Sequence, residues 1–190
     1  MEYDELIRKM KDAGVRFAEG LSEAEFEVVE QIYDIKFPPD LKQFFSIALP
    51  ISDKFNNWRD TTEHNVQLIQ GRFKWCLEGM LFDVKHNNFW IKEWGSKPDD
   101  FESAKNICTE HYLRAPKLIP IYSHRYIPQT PLEAGNPILS VYQTDIIYYG
   151  ENLNSYLLVE FNLKRYDEII FESIKRIPFW SDIIEMWEVE

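Results

Sequence analysis

Glycine and cysteine are both scarce in this chain, and bases are outnumbered by acids. Its 190 residues include only seven glycines and two cysteines. The glycines never form GxGxxG or GxxxxGK, which excludes the backbone loops that cradle phosphate in dinucleotide-binding and P-loop folds. A GxSxG nucleophile elbow and an HExxH pair are also missing. Cys76 and Cys108 lie far apart, without a CxxC, in the apolar settings WCL and NIC. A zinc site is therefore not expected, and buried reduced thiols are. His64, His86, His111 and His124 include no pair at i, i+4. No metal and no cofactor are expected.

Long apolar runs are absent too. None approaches the ~20 residues of a membrane span, and MEYDELIRKMKDAG alternates charge unlike a signal peptide. The expectation is a cytoplasmic protein with no membrane contact. Twenty-one lysines and arginines face 32 acids, a formal charge of −11. Such a surface repels phosphate, so nucleic acid is not an expected ligand, whereas a basic protein partner is well matched.

What is present is apolar and aromatic. Hydrophobic residues make up 45% of the chain and aromatics 15%, enough to fill a sizeable interior. No repeat, low-complexity tract or linker divides it, so a single domain over residues 1–190 is expected. Asp4 to Lys11 reads as a helix with Leu6, Ile7 and Met10 on one face, stopped at Gly14. Ser22 and Glu25 form a capping box, and Leu21 with Phe26 a hydrophobic staple, for a helix through Val29, Ile32 and Tyr33. Pro39 and Asp40 suit the first turn of another helix, burying Leu41, Phe44, Phe45 and Ala48. Residues 51–64 read as a loop with exposed aromatic points. Val66, Ile69, Phe73 and Leu77 mark a helix over 65–80, and residues 87–92 read as extended or a short strand. Asp99 or Asp100 caps a helix to about Leu113.

The segment from Ala115 to Gly150 holds five prolines and no helical period. Leu118 to Ile127, Ile138 to Gln143 and Asp145 to Tyr149 read as strands, with a rigid loop from Pro128 to Pro137. Period two places Ile119, Ile121, Ser123 and Arg125 on one face of the first strand and Tyr122, His124 and Tyr126 on the other. Leu153 to Phe161 reads as a helix with Tyr156, Leu157 and Glu160 or Phe161 inward. A last helix, Trp180 to Glu188, presents Ile183, Ile184 and Trp187.

The candidate binding residues are His124, Arg125, Tyr122, Tyr126, Trp90 and Trp94. Arg125 can fork onto an acid while His124 adds a second donor, a clamp for an anionic ligand. Structure alone accounts for the pair more readily: Arg125 paired with an internal acid such as Asp145, and His124 bonded to the proline loop. Tyr142, Tyr148 and Tyr149 with Trp90 and Trp94 form either a binding surface or core. Asp83, Glu93, Asp99 and Asp100 become catalytic carboxylates only if a cleft gathers them. No catalytic residue is assigned.

The block GLSEAEFEVVEQIYDIKFPPDLKQFFSIALP resembles the opening motif of the SUKH superfamily, a capped helix followed by a Pro-x-Asp helix. Gly20, Ser22, Glu25, Phe37, Pro38, Asp40, Leu41, Phe44 and Phe45 stand in the motif positions. PIYSHRYIP…GNPILSVYQTDIIYYG is similar to a bacterial branch of the same family, and the resemblance covers about residues 15–165. It implies an α+β fold with helices packed around a mostly antiparallel sheet, and no catalytic constellation. The superfamily includes fungal regulators of cell-wall synthesis and many bacterial immunity proteins. The resemblance thus implies a non-catalytic protein-binding module, of immunity type, neutralising a toxin such as a nuclease. A regulatory interaction module without a toxin, and a binder of small anions through His124 and Arg125, are the alternatives. One departure is the loop ALPISDKFNNWRD, which lacks the family's glycine and implies a specialised partner-facing surface. Oligomeric state is left open.

Overall fold

The computed structural model describes residues 2–188. Helix α1 (Glu2–Asp12) buries Tyr3, Leu6, Ile7 and Met10. Strand β1 (Phe17–Glu19) leads into α2 (Glu23–Tyr33). The capping box is formed as its sequence requires: Glu25 N–H donates to Ser22 Oγ at 3.3 Å and Ser22 N–H donates to Glu25 Oε2 at 2.8 Å. Leu21 and Phe26 are both buried in one cluster. Asp34 closes α2 in the left-handed region, at φ 50°.

Helix α3 (Pro39–Ile47) starts on its proline and buries Leu41, Phe44 and Phe45. Ala48 is buried as well, but in strand β2 (Ala48–Pro50), which pairs antiparallel with β1. These three-residue strands have no pattern long enough to show in the sequence. Gly20 sits where β1 meets the end of α3. A Cβ there would lie 2.0 Å from the Ser46 carbonyl oxygen, so the motif glycine is a close-approach residue.

Helix α4 (Glu63–His86) runs 24 residues, beyond the expected 65–80. Residues 87–92 hold no strand; this is a correction. The helix is kept going by its own cap: Asn87 and Phe89 N–H groups both donate to the Asp83 carbonyl, and Lys97 Nζ donates to the Val84 carbonyl at 2.6 Å. Phe89 and Ile91 are then buried one at a time, without a sheet neighbour, before a short 3-10 turn at Lys92–Trp94. Helix α5 (Phe101–Arg114) is capped by Asp100, whose Oδ1 accepts from Ser103 N–H at 2.8 Å.

The stretch Leu118 to Ile127 is two strands, not one. β3 (Leu118–Tyr122) and β4 (Arg125–Pro128) form a hairpin around Ser123-His124, with Ser123 at φ 51°. β5 (Ile138–Tyr142) and β6 (Asp145–Gly150) repeat the device around Gln143-Thr144, with Gln143 at φ 57°. Neither turn carries the Asn-Gly or Asp-Gly that announces such hairpins, so the first turn is invisible to pattern reading. The sheet order is β3-β4-β5-β6, antiparallel throughout.

Both sheet faces are covered by helices, which explains why neither face looks cleanly apolar in sequence. Ile119, Ile121, Ile127 and Ile138 point into one cluster with α1, α2, α3 and α6 (Leu153–Glu160). Leu118, Tyr126, Leu139, Val141 and Ile146 point into a second, with α5 and α7 (Trp180–Glu188). α4 serves both: Ile69 belongs to the first, Cys76, Met80 and Val84 to the second. With seven α-helices and two antiparallel sheets among the described residues, the fold is α+β. Ile183 and Ile184 are buried as expected; the side chain of Trp187 lies outside the described residues. No helix among the described residues is long and apolar enough to cross a membrane.

The edges of the larger sheet are blunted. Phe55 bridges Tyr122 and Asn56 Nδ2 donates to the Pro120 carbonyl at 2.7 Å along β3. The aromatics of the 51–64 loop are therefore not exposed points: Phe55 is buried by this edge contact and Trp58 by Tyr33 and Phe37. Tyr166 O–H donates to the Tyr148 carbonyl at 2.9 Å along β6. The proline loop is pinned by the motif aspartate. Asp40 Oδ2 accepts from Gly135 N–H at 2.9 Å, and buried Asn136 donates to the carbonyls of Pro128 and Pro131.

The capping box also sets an acid sensitivity. Arg59 Nε donates to Glu25 Oε1 at 2.5 Å, and this bond, followed by those from Ser22, pulls the Glu25 carboxyl from 4.5 down to about 2. A depressed carboxylate stabilises the fold above its unfolded value and loses that contribution as pH falls from 4.5 toward about 2. About a third of the side chain is exposed, so solvent limits the effect to below about 1 kcal/mol. Glu25→Gln is expected to flatten the slope of stability against pH in that window, measured by urea titration; an unchanged slope would refute the linkage.

Candidate functional site

His124 and Arg125 are adjacent in sequence but part company at the hairpin turn. Arg125, first residue of β4, is buried and turns inward. Its Nε donates to Glu160 Oε2 at 3.1 Å, its Nη1 donates to Ser140 Oγ at 2.8 Å, and its guanidinium carbon lies 3.7 Å from the Tyr149 ring centre. The internal acid is thus Glu160 of α6, not Asp145. Glu160 is reached because α6 folds back along the sheet, which no local pattern reports.

His124 occupies the turn rather than a strand. Its Nδ1 lies 3.2 Å from Ser123 Oγ, not on the proline loop. Burial, then the charges of Arg125 and Lys54, hold its pKa below the ordinary value. It lines a cleft of about 710 Å³ with Leu68, Arg72, Trp75, Tyr126 and Tyr142. Tyr126 is otherwise buried, and its hydroxyl donates to the Arg72 carbonyl at 3.0 Å. Tyr122 belongs to the interior instead, packed on Phe55 and Phe161 at 4.7 and 5.8 Å.

Trp90 and Trp94 lie elsewhere, on the connection between α4 and α5. Their rings meet edge to face at 5.2 Å, and Trp90 Nε1 donates to the Gly95 carbonyl. Trp94 stacks on His111 at 5.1 Å and walls a cleft of about 530 Å³ with Phe179, Glu93, Asp182, Glu185 and Arg176. Arg176 is shared between Asp182 and Glu185, its Nε donating to Glu185 Oε1 at 2.9 Å. Glu93 carries no ion pair among the described residues. This cleft therefore sets three carboxylates against one arginine beside a flat aromatic wall.

The tyrosines and tryptophans read as either a binding surface or core are not brought into one surface. Tyr142 stands in the His124 cleft, Tyr149 lies over Arg125, and Tyr148 O–H donates to Ser181 Oγ. The four carboxylates are not gathered either. Asp83 is buried, accepting from Thr144 N–H and Oγ1 and from Asn87 Nδ2; Asp100 is a helix cap; Glu93 lines the acidic cleft. No cluster of three or more metal-ligating side chains occurs among the described residues. Both cysteines are buried, and burial pushes each thiol up to about 12.

Pattern reading passed over Glu160 as the partner of Arg125, Glu185, and the outward side chains of α4. For α4 the signal was available: Leu68, Trp75 and Phe82 recur every seven residues, about a third of a turn from the buried stripe of Ile69, Cys76 and Met80. Compared with models of known families, with curated proteins and with solved structures, the chain matches none.

Proposed function

We propose that this protein is a non-catalytic binding module of immunity type, which neutralises a basic toxin domain such as a nuclease. The resemblance to the SUKH superfamily motivates the reading, and its motif residues have physical roles here: Gly20 admits the end of α3, Ser22 and Glu25 cap α2, and Asp40 pins the proline loop. The observation that carries the proposal is the acidic cleft at Trp94. A lysine or arginine from a partner would enter this cleft to meet Glu93, drawn by the excess of carboxylates over its one arginine. The formal charge of −11 would speed the encounter with a basic domain and suppress binding to nucleic acid.

The anion-clamp alternative finds less support. The Arg125 guanidinium is taken up by Glu160, Ser140 and Tyr149, leaving His124 without its partner donor.

Co-expression with the toxic product of the neighbouring reading frame is expected to restore growth. The purified complex is expected to weaken about tenfold with Glu93→Lys, and to weaken again as salt rises from about 0.05 to about 0.3 M. Failure to protect would sink the immunity reading; protection with an unaffected Glu93→Lys complex would move the contact away from this cleft.

A further inference from the structure

The donor that Arg125 withholds from His124 is supplied by Arg72 of α4. Arg72 Nη1 donates to the Lys54 carbonyl at 2.7 Å, and the same oxygen accepts from Ser123 N–H at 2.9 Å. One atom thus ties the Arg72 guanidinium to the turn that carries His124. Among the described residues Arg72 pairs with no carboxylate. A half-buried guanidinium without an acid favours an anion beside it.

The walls of the cleft say what else the anion must carry. The space lies between α4 and the turns of both hairpins. At one end Tyr126 O–H donates to the Arg72 carbonyl. At the other, α4 comes so near the second turn that a Cβ on Gly79 would lie 2.8 Å from Gln143 Cα. Leu68, Trp75 and Tyr142 line the space and are 57%, 47% and 58% exposed. Gly71 lines it too, without the packing reason that Gly79 has: nothing lies within 4 Å of a Cβ there, although glycine is a poor helix residue. A volume of about 710 Å³ admits a small organic molecule.

Charge limits the ligand to one ionised group. His124, held below its ordinary value, offers a neutral ring rather than a second cation. Glu78 lines the same cleft about 9 Å along the helix from Arg72, where it opposes further negative charge. We propose that this cleft binds a small aromatic carboxylate, with the carboxylate on Arg72 and His124 and the ring against Leu68, Trp75 and Tyr142.

Isothermal titration of the full chain with cinnamate tests this, with cinnamamide as the neutral analogue and adenosine monophosphate as a dianion. Cinnamate is expected to bind at a single site with a Kd below about 1 mM, and cinnamamide at least about tenfold more weakly. Adenosine monophosphate is expected not to bind. Arg72→Gln is expected to weaken cinnamate about tenfold and to leave cinnamamide unchanged. Gly71→Leu is expected to keep the urea midpoint at or above that of the wild type while filling the opening, and to weaken cinnamate at least about tenfold. Circular dichroism confirms that each variant is folded. No saturable heat from cinnamate up to about 10 mM overturns the proposal. So does cinnamamide binding as tightly as cinnamate, adenosine monophosphate binding more tightly than either, or cinnamate binding untouched by Gly71→Leu. The titration contains no toxin, so its result and that of the protection assay fail separately.

Discussion

Replacing Glu160 by alanine is expected to destabilise the protein by about 3 kcal/mol, because it strands a buried guanidinium. The side chains of Arg125 and Glu160 are only 11% and 16% exposed. With the carboxylate gone, Arg125 retains the Ser140 hydroxyl and the Tyr149 ring, neither of which neutralises a charge. Glu160→Gln keeps an acceptor for Nε and should cost less than half as much. The Arg125→Leu, Glu160→Leu double variant should be less damaging than either single change, since the pair's desolvation is removed along with its attraction. Urea unfolding at neutral pH reads these variants and the two single leucine changes against the wild type. A loss below about 1 kcal/mol for Glu160→Ala would mean that water reaches the guanidinium and that the pair is a surface feature.

Gly20→Ala is expected to be as harmful, for a steric reason. The added methyl would sit 2.0 Å from the Ser46 carbonyl oxygen and 2.4 Å from its carbon. Those atoms are backbone at the end of α3, so relief requires moving α3 away from β1. Nearby bonds resist that motion: Leu21 N–H donates to the Phe45 carbonyl at 2.9 Å, and Arg59 Nη2 donates to the Gly20 carbonyl at 2.8 Å. A cost of about 3 kcal/mol is expected, at the upper end for inserting one methyl into a filled site. Gly71→Ala is the control, since nothing lies within 4 Å of a Cβ there. It should be neutral or slightly stabilising through helix propensity. Equal midpoints for the two variants would refute the close approach.

How much of this was legible depended on sequence distance. Ser22 and Glu25 are three residues apart and fix one helix start between them, so both the cap and its bonds could be read directly. Pro39, Asp100 and the strands of the second hairpin were legible for the same local reason. Ser123-His124 was not, because a Ser at positive φ gives no turn signal where glycine or asparagine would. That single missed turn moved His124 off a strand and away from the Arg125 guanidinium. The partner of Arg125 lies 35 residues away, and only the docking of α6 against the sheet chooses Glu160 over Asp145. Trp90 and Trp94 meet each other, whereas Tyr142 stands in a different cleft, a separation that no local pattern reports. The extra turn of α4 is held by Asp83, Asn87 and Lys97, contacts made after the helix exists rather than coded by its period.

The helix that enters both apolar clusters leaves the chain with no natural seam. A cut before Glu63 strips the first cluster of Ile69, and a cut after His86 strips the second of Cys76, Met80 and Val84. Any fragment short enough to lose one cluster would still carry a long helix with half its lining turned to water. Shuffling half of this fold into another protein would therefore deliver an aggregation-prone piece.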